Sequence, residues 1–198
     1  MIREIRKSQI SEDKLMTSAD TAAIGCSSCE GCGECCHNRG NSITLDSWDV
    51  KLLKMGFEMS FQKLIDAGYI HLTLINDIVL PVLGSKEGVE ECVFLGIDGR
   101  CMIHKIRPGI CRMFPLARIY HKDGSFSYFI QEGECPYSDG SQVNISEWLG
   151  FKNTEKYENE VREYHDRLVK LRNEIKNSAD DEEAAMLNRR FLVENFNR

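Results

Sequence analysis

The sequence has no apolar run approaching the roughly 18 residues that a membrane-spanning helix requires. It opens Met1-Ile2-Arg3-Glu4-Ile5-Arg6-Lys7 with no apolar segment behind those charges, so no secretory signal is expected. Basic residues are not in excess. The formal net charge is −6 with histidine neutral, which argues against general nucleic-acid binding, since that needs a basic face. There is no nucleophilic triad, phosphate loop or dinucleotide fingerprint; Gly31-Cys32-Gly33 lacks the strand and helix that such a fingerprint needs. No internal repeat or low-complexity linker divides the chain. These absences leave a cytoplasmic protein of 198 residues, long enough to bury a core of its own.

Cysteine is what the sequence has in abundance. Of nine cysteines, five fall within the stretch from Cys26 to Cys36, at Cys26, Cys29, Cys32, Cys35 and Cys36. So short a stretch has no core of its own in which to bury them. A disulfide scaffold would need an oxidising compartment and would leave one thiol unpaired, whereas in a reducing cytosol such clusters read as metal sites. Two residues between cysteines let a tight turn aim both sulfurs at one ion or cluster, as in zinc and iron–sulfur loops. Gly31 and Gly33 suit this, because glycine tolerates positive φ and lets backbone N–H groups approach sulfur.

Four distant cysteines, Cys92, Cys101, Cys111 and Cys135, complement the first group, each near a glycine or proline that makes a turn. Tetrahedral zinc and iron–sulfur clusters commonly take four thiolates. The set therefore suffices for two four-ligand sites, or for one such site plus redox or structural thiols. Cys26, an N-terminal extension of the repeating spacing, is the most dispensable. His37 and His104 lie beside cysteines as further ligand candidates, with a solvated loop histidine the preferred reading of both. Arg107 and Arg112 bracket Cys111, where guanidinium groups would offset thiolate charge or donate to sulfur. The glutamates crowding the cysteines read as solvated loop carboxylates.

Local patterns place the remaining chain. Ile2, Ile5 and Ile10 lie in a polar arm expected to be partly mobile. Asp46 is an N-cap for a helix through about Met55, stopped by Gly56, and Ser60 caps a short helix closed by Gly68. Apolar, β-branched runs flank Asn76-Asp77 and Asp123-Gly124, two hairpin signals. A further small hairpin is expected around Asp98-Gly99, with Cys92 and Cys101 on its arms, and Pro108 is expected to start a helical turn carrying Cys111. Ser146 is expected to cap a turn containing Trp148. Tyr157, Val161, Tyr164, Leu168, Leu171 and Ile175 then step by four and three along an amphipathic helix, and Asp180 or Asp181 opens another. Such a stripe normally buries at home, with partner binding the minority use. The expected architecture is α+β. A polar arm (1–24) leads into an irregular metal-binding domain (25–140) with short β-hairpins and helices, followed by a C-terminal helical pair (141–198).

Together, Cys29-x-x-Cys32-Gly33-x-Cys35-Cys36, Cys92-Val93-Phe94-Leu95, Cys101-x-Ile103 and Arg107-Pro108-x-x-Cys111-Arg112-x-Phe114-Pro115 resemble the CxxCxxCC family of YkgJ-type cysteine cluster proteins, a proposed zinc- or iron-chelating domain. The resemblance covers about residues 26–137. Its eight-cysteine pattern falls on Cys29, Cys32, Cys35, Cys36, Cys92, Cys101, Cys111 and Cys135 and leaves Cys26 outside. His104 stands where the family usually has tyrosine. The resemblance implies metal binding but no reaction. One longer branch, the flagellin lysine N-methylases, is associated with an iron–sulfur cluster, so a protein N-methyltransferase is an alternative by distant analogy only. The reading reached is a metal-binding protein with an iron–sulfur cluster, 4Fe-4S in form, or else zinc. It serves redox chemistry or the modification of a partner protein, with a zinc-stabilised interaction module as the other alternative.

Overall fold

The computed structural model describes residues 14–26, 32–39 and 42–197. In chain order its regular elements are β1 (Thr21–Ala23), α1 (Ser47–Phe57), α2 (Phe61–Asp66), β2 (Ile70–Ile75), β3 (Ile78–Leu83), α3 (Gly109–Met113), β4 (Leu116–Tyr120), β5 (Phe126–Ile130), β6 (Gln142–Asn144), α4 (Ile145–Leu149), α5 (Thr154–Lys176) and α6 (Asp181–Phe196). The strands pair as three separate antiparallel ribbons, β1 with β6, β2 with β3, and β4 with β5. The fold class is α+β. Among the described residues no helix is long and apolar enough to cross a membrane.

Turn chemistry decides the two hairpins. Asn76 and Asp77 adopt φ of 48° and 66°, and two consecutive left-handed residues match the twist of the flanking strands. The register runs from Ile75 against Ile78 to Ile70 against Leu83. In the β4–β5 turn, Gly124 has φ 82° and Asp123 Oδ1 accepts from the Ser125 N–H at 3.0 Å.

Three local expectations are corrected. Gly56 does not stop α1. The helix runs to Phe57 and ends at Glu58, which takes φ 52°. A side chain at Gly56 would place Cβ 2.3 Å from Ile106 Cδ1, so this glycine makes room for a packed neighbour. Asn144, not Ser146, caps α4, and the Ser146 hydroxyl instead donates to Asn144 Oδ1 at 2.6 Å. The first thirteen residues, with Ile2, Ile5 and Ile10, lie outside the described residues, but the rest of the expected arm is built into the fold. Thr21, Ala22 and Ala23 pair with Asn144, Val143 and Gln142, Met16 and Tyr128 exchange backbone hydrogen bonds of 2.9 and 2.7 Å, and Ala22 and Ile24 are buried. Three residues are too few to show alternation, and their partners lie far along the chain.

The C-terminal stripe buries at home. Tyr157, Val161, Tyr164 and Leu171 of α5 are buried, and α6 folds back so that Phe191 and Phe196 lie 5.9 and 6.1 Å from the Tyr164 ring. Two apolar clusters result. The larger joins α1, α2, the β2–β3 hairpin, α5 and α6, and it includes Cys36 and Cys92. The smaller joins β1, α3, β4, β5 and α4. Fully buried side chains such as Leu53 and Leu64 each stabilise by about 1.5–3 kcal/mol. Cys35 and Cys101 also pack against the larger cluster, while Cys111 lies on α3, whose Met113 belongs to the smaller.

Candidate metal centre

The first described cysteine segment is fixed by its backbone. Gly33 takes φ 82° before a 3₁₀ turn, Glu34–Cys36, and a Cβ there would lie 2.0 Å from Gly99 O. Only glycine permits this approach. The Cys92 N–H donates to Cys36 O at 2.9 Å and the Arg39 N–H to Glu90 O at 2.8 Å, which ties the first segment to the second. The expected hairpin around Asp98-Gly99 is a tight loop instead. Leu95 bridges Cys101, and the Gly96 N–H donates to Arg100 O at 2.8 Å.

Helix α3 brings the third piece. Its first N–H, on Gly109, donates to Asp49 Oδ1 at 2.6 Å. Asp49 also closes the cap of α1, accepting from Asp46 N–H at 3.3 Å while Asp46 accepts from Asp49 N–H at 2.9 Å. One buried carboxylate thus sets α3, and with it Cys111, against α1. Burial and the neighbouring Asp46 charge raise the Asp49 pKa well above its ordinary value. The capping pattern around Asp46 was readable in the sequence; the link to Gly109 was not.

These elements line a cavity of about 30 Å³ with six thiols, those of Cys32, Cys35, Cys36, Cys92, Cys101 and Cys111. Every described cysteine is a free thiol. Cys36 is the hub. Its hydrogen bonds with Cys101, Cys35 and Cys92, together with burial, hold its proton firmly and raise its pKa. The other side of the same contacts favours thiolate. The Cys36 hydrogen bond lowers Cys35 to about 6 against the effect of burial, with the Arg107 and Arg39 charges helping. It likewise lowers Cys101 to about 7 and shifts Cys92 downward. Cys111 is raised well above the usual range by burial and by the neighbouring thiolates. The sulfurs gather around Cys36 rather than around a common point: among the described residues no three His, Cys, Asp or Glu side chains converge on one ion position.

A second group lies apart. The Cys26 thiol hydrogen-bonds with Cys135, whose pKa is raised by burial first and then by Cys26, with Cys32 contributing at longer range. Backbone pairing brings the two segments together: Gly25 N–H donates to Ser141 O at 2.9 Å and Asp139 N–H to Gly25 O at 2.8 Å. Cys26, expected to stand aside, is the partner of Cys135. Cys29 lies outside the described residues.

The two arginines part company. Arg107 lines the thiol cavity beside His104, the two side chains are in contact, and Arg107 Nε is buried without a hydrogen-bond partner. Burial, then the Arg107 and Arg112 charges, lowers the His104 pKa. Arg112 is not part of that wall. It donates to Lys105 O at 2.6 Å, Arg107 O at 3.2 Å and Leu149 O at 3.4 Å, and it stacks 4.9 Å from the Phe151 ring centroid. Arg112 fixes the turn before α3 to α4. His37 pairs with Glu91 at 3.1 Å, away from the cavity.

This donor set is sulfur, with cationic and apolar side chains around it, and it suits soft or borderline metals rather than magnesium or calcium. The ordered cysteine pieces match the CxxCxxCC family, described as a "putative zinc- or iron-chelating domain", over residues 28–136, more than half of the chain. The chain belongs to the CxxCxxCC family. No curated protein and no solved structure matches it. The family match begins after Cys26, so the pairing of Cys26 with Cys135 comes from the fold.

Proposed function

We propose that this CxxCxxCC protein carries an iron–sulfur cluster, most simply of the four-iron, four-sulfide type, and serves redox chemistry or the modification of a partner protein in the cytoplasm. The observation that carries this reading is the wall of six thiols around one cavity. Six sulfurs exceed the four thiolates that either a zinc site or a four-iron cluster takes, so this wall can hold a metal centre and leave thiols beside it for redox chemistry. Cys35, Cys36, Cys92, Cys101 and Cys111 are the ligand candidates of the inner group, with Cys32 at its edge. Arg107 offsets thiolate charge there. When bound, such a cluster supplies one-electron transfer. Cys26 and Cys135 form a smaller outer group.

One observation favours zinc as the second reading. A cavity of about 30 Å³ has room for a single ion rather than a cluster, once its thiols turn toward a common point. A zinc-stabilised interaction module would then follow, but its partner surface would not be the apolar stripe of α5, whose residues are buried or half-buried within the fold.

The test is purification without oxygen, followed by iron, sulfide and zinc analysis and a visible spectrum. Stoichiometric iron and sulfide with broad visible absorbance support the cluster. Stoichiometric zinc in a colourless protein without iron overturns it in favour of the second reading.

A further inference from the structure

We propose that the cleft between the two apolar clusters binds a small apolar molecule bearing a single carboxylate, held by Arg118. The proposal goes beyond metal binding and does not rest on it, because the holding residue lies on β4 and belongs to neither thiol group.

Two cavities meet at this residue. The larger encloses about 830 Å³, within the usual size range of small-molecule sites, and the smaller about 290 Å³. Both are walled by Thr44, Leu80, Ile110, Met113, Ala117 and Arg118. A cleft of this size that opens to solvent, is largely apolar and holds a few convergent polar groups is a candidate small-molecule site.

Arg118 supplies the polar end. Its guanidinium lies 5.5 Å from the Phe126 ring centroid and 5.8 Å from that of Tyr157. Its Nη1 is buried and has no hydrogen-bond acceptor. An orphan donor on a buried cation is rare in a native interior. Asp46, the nearby countercharge, uses Oδ1 to accept from the Asp49 N–H rather than to pair with the guanidinium. A planar carboxylate matches a guanidinium fork.

The other walls choose among anions. Glu90 and Glu134 line the larger cavity with Arg39, whose guanidinium is 3.8 Å from Glu134 and so already partnered, and Asp46 and Asp49 line the smaller. A phosphate dianion would meet four carboxyl groups, whereas a monocarboxylate brings one charge to one orphan cation. Leu80, Ile110, Met113 and Phe114 leave the rest of the ligand an apolar bed. The larger cavity also reaches Cys35 and Cys111, so the far end of a ligand anchored at Arg118 lies beside the thiols.

The test uses the full chain as purified and three probes, phenylacetate, the neutral phenylacetamide and phenyl phosphate, with binding measured by calorimetry. Phenylacetate is expected to bind about tenfold tighter than the amide, the discrimination expected of a charge-assisted hydrogen bond, and tighter than the phosphate. Arg118→Gln, confirmed folded by circular dichroism, is expected to erase the preference for acid over amide. Ala117→Leu narrows both cavities and leaves the charge alone; it is expected to weaken acid and amide alike. If Arg118→Gln does not fold, the acid–amide comparison on the unaltered protein and Ala117→Leu decide the matter. Equal binding of acid and amide, tightest binding of the phosphate, a preference that survives Arg118→Gln, or no saturable binding of any probe (a cleft holding water alone) each overturns the proposal.

Discussion

The inner and outer thiol groups are built from the same residue type and differ in what surrounds them. Cys35, Cys36, Cys92 and Cys101 lie among buried apolar residues and share hydrogen bonds that divide them into one proton holder and three acidic thiols, while burial raises Cys111 beside them. Cys26 and Cys135 are half-buried on a backbone pairing between two segments far apart in sequence, and burial raises Cys135 rather than activating it. The difference teaches that cysteine spacing nominates ligands, while the environment decides which thiols are held in readiness as thiolates.

That contrast is testable, and the largest effect is expected at its centre. Cys36→Ser should abolish nearly all metal content measured by elemental analysis; retention of most of the metal would remove Cys36 from the hub. Gly33→Ala comes next. With φ 82° and a Cβ aimed at Gly99 O, it should destabilise by about 1–3 kcal/mol in chemical denaturation and lower metal content with it. Cys26→Ser should remove a minor part of the metal, and adding Cys135→Ser should lose little more, since the two thiols share one contact. Simple additivity would separate them. Smallest for the metal is Arg112→Met, which should leave metal content unchanged while lowering stability by about 1–3 kcal/mol through lost bonds to carbonyl oxygens; loss of metal would return Arg112 to the site.

What was legible in the sequence was local. Asn76-Asp77 announced its hairpin because both turn residues must accept positive φ, and the α5 stripe announced its buried face through its spacing. The cysteine pieces were legible because their types and order are rare. Long-range pairing was not. Nothing in Thr21-Ala22-Ala23 points to Gln142–Asn144, so the approach of Cys26 to Cys135 was hidden, as was the bond from Gly109 to Asp49. Gly56 misled because a glycine that frees space for Ile106 looks the same in sequence as one that ends a helix. Arg107 and Arg112 are equivalent by spacing; only the fold shows that one faces sulfur and the other binds carbonyl groups.

The last helix has a consequence for how the protein is made. Asn188 of α6 accepts from Val79 N–H at 2.7 Å and donates to Asp77 O at 3.1 Å, while Lys54 donates to Phe196 O at 3.1 Å. Phe191 and Phe196 complete the cluster that contains Cys36 and Cys92. Synthesis therefore delivers the thiols long before the aromatic residues that finish their apolar cluster. During that interval Cys36 and Cys92 belong to a cluster still short of Phe191 and Phe196, so the scaffold behind the thiols is the last part of the fold to be completed.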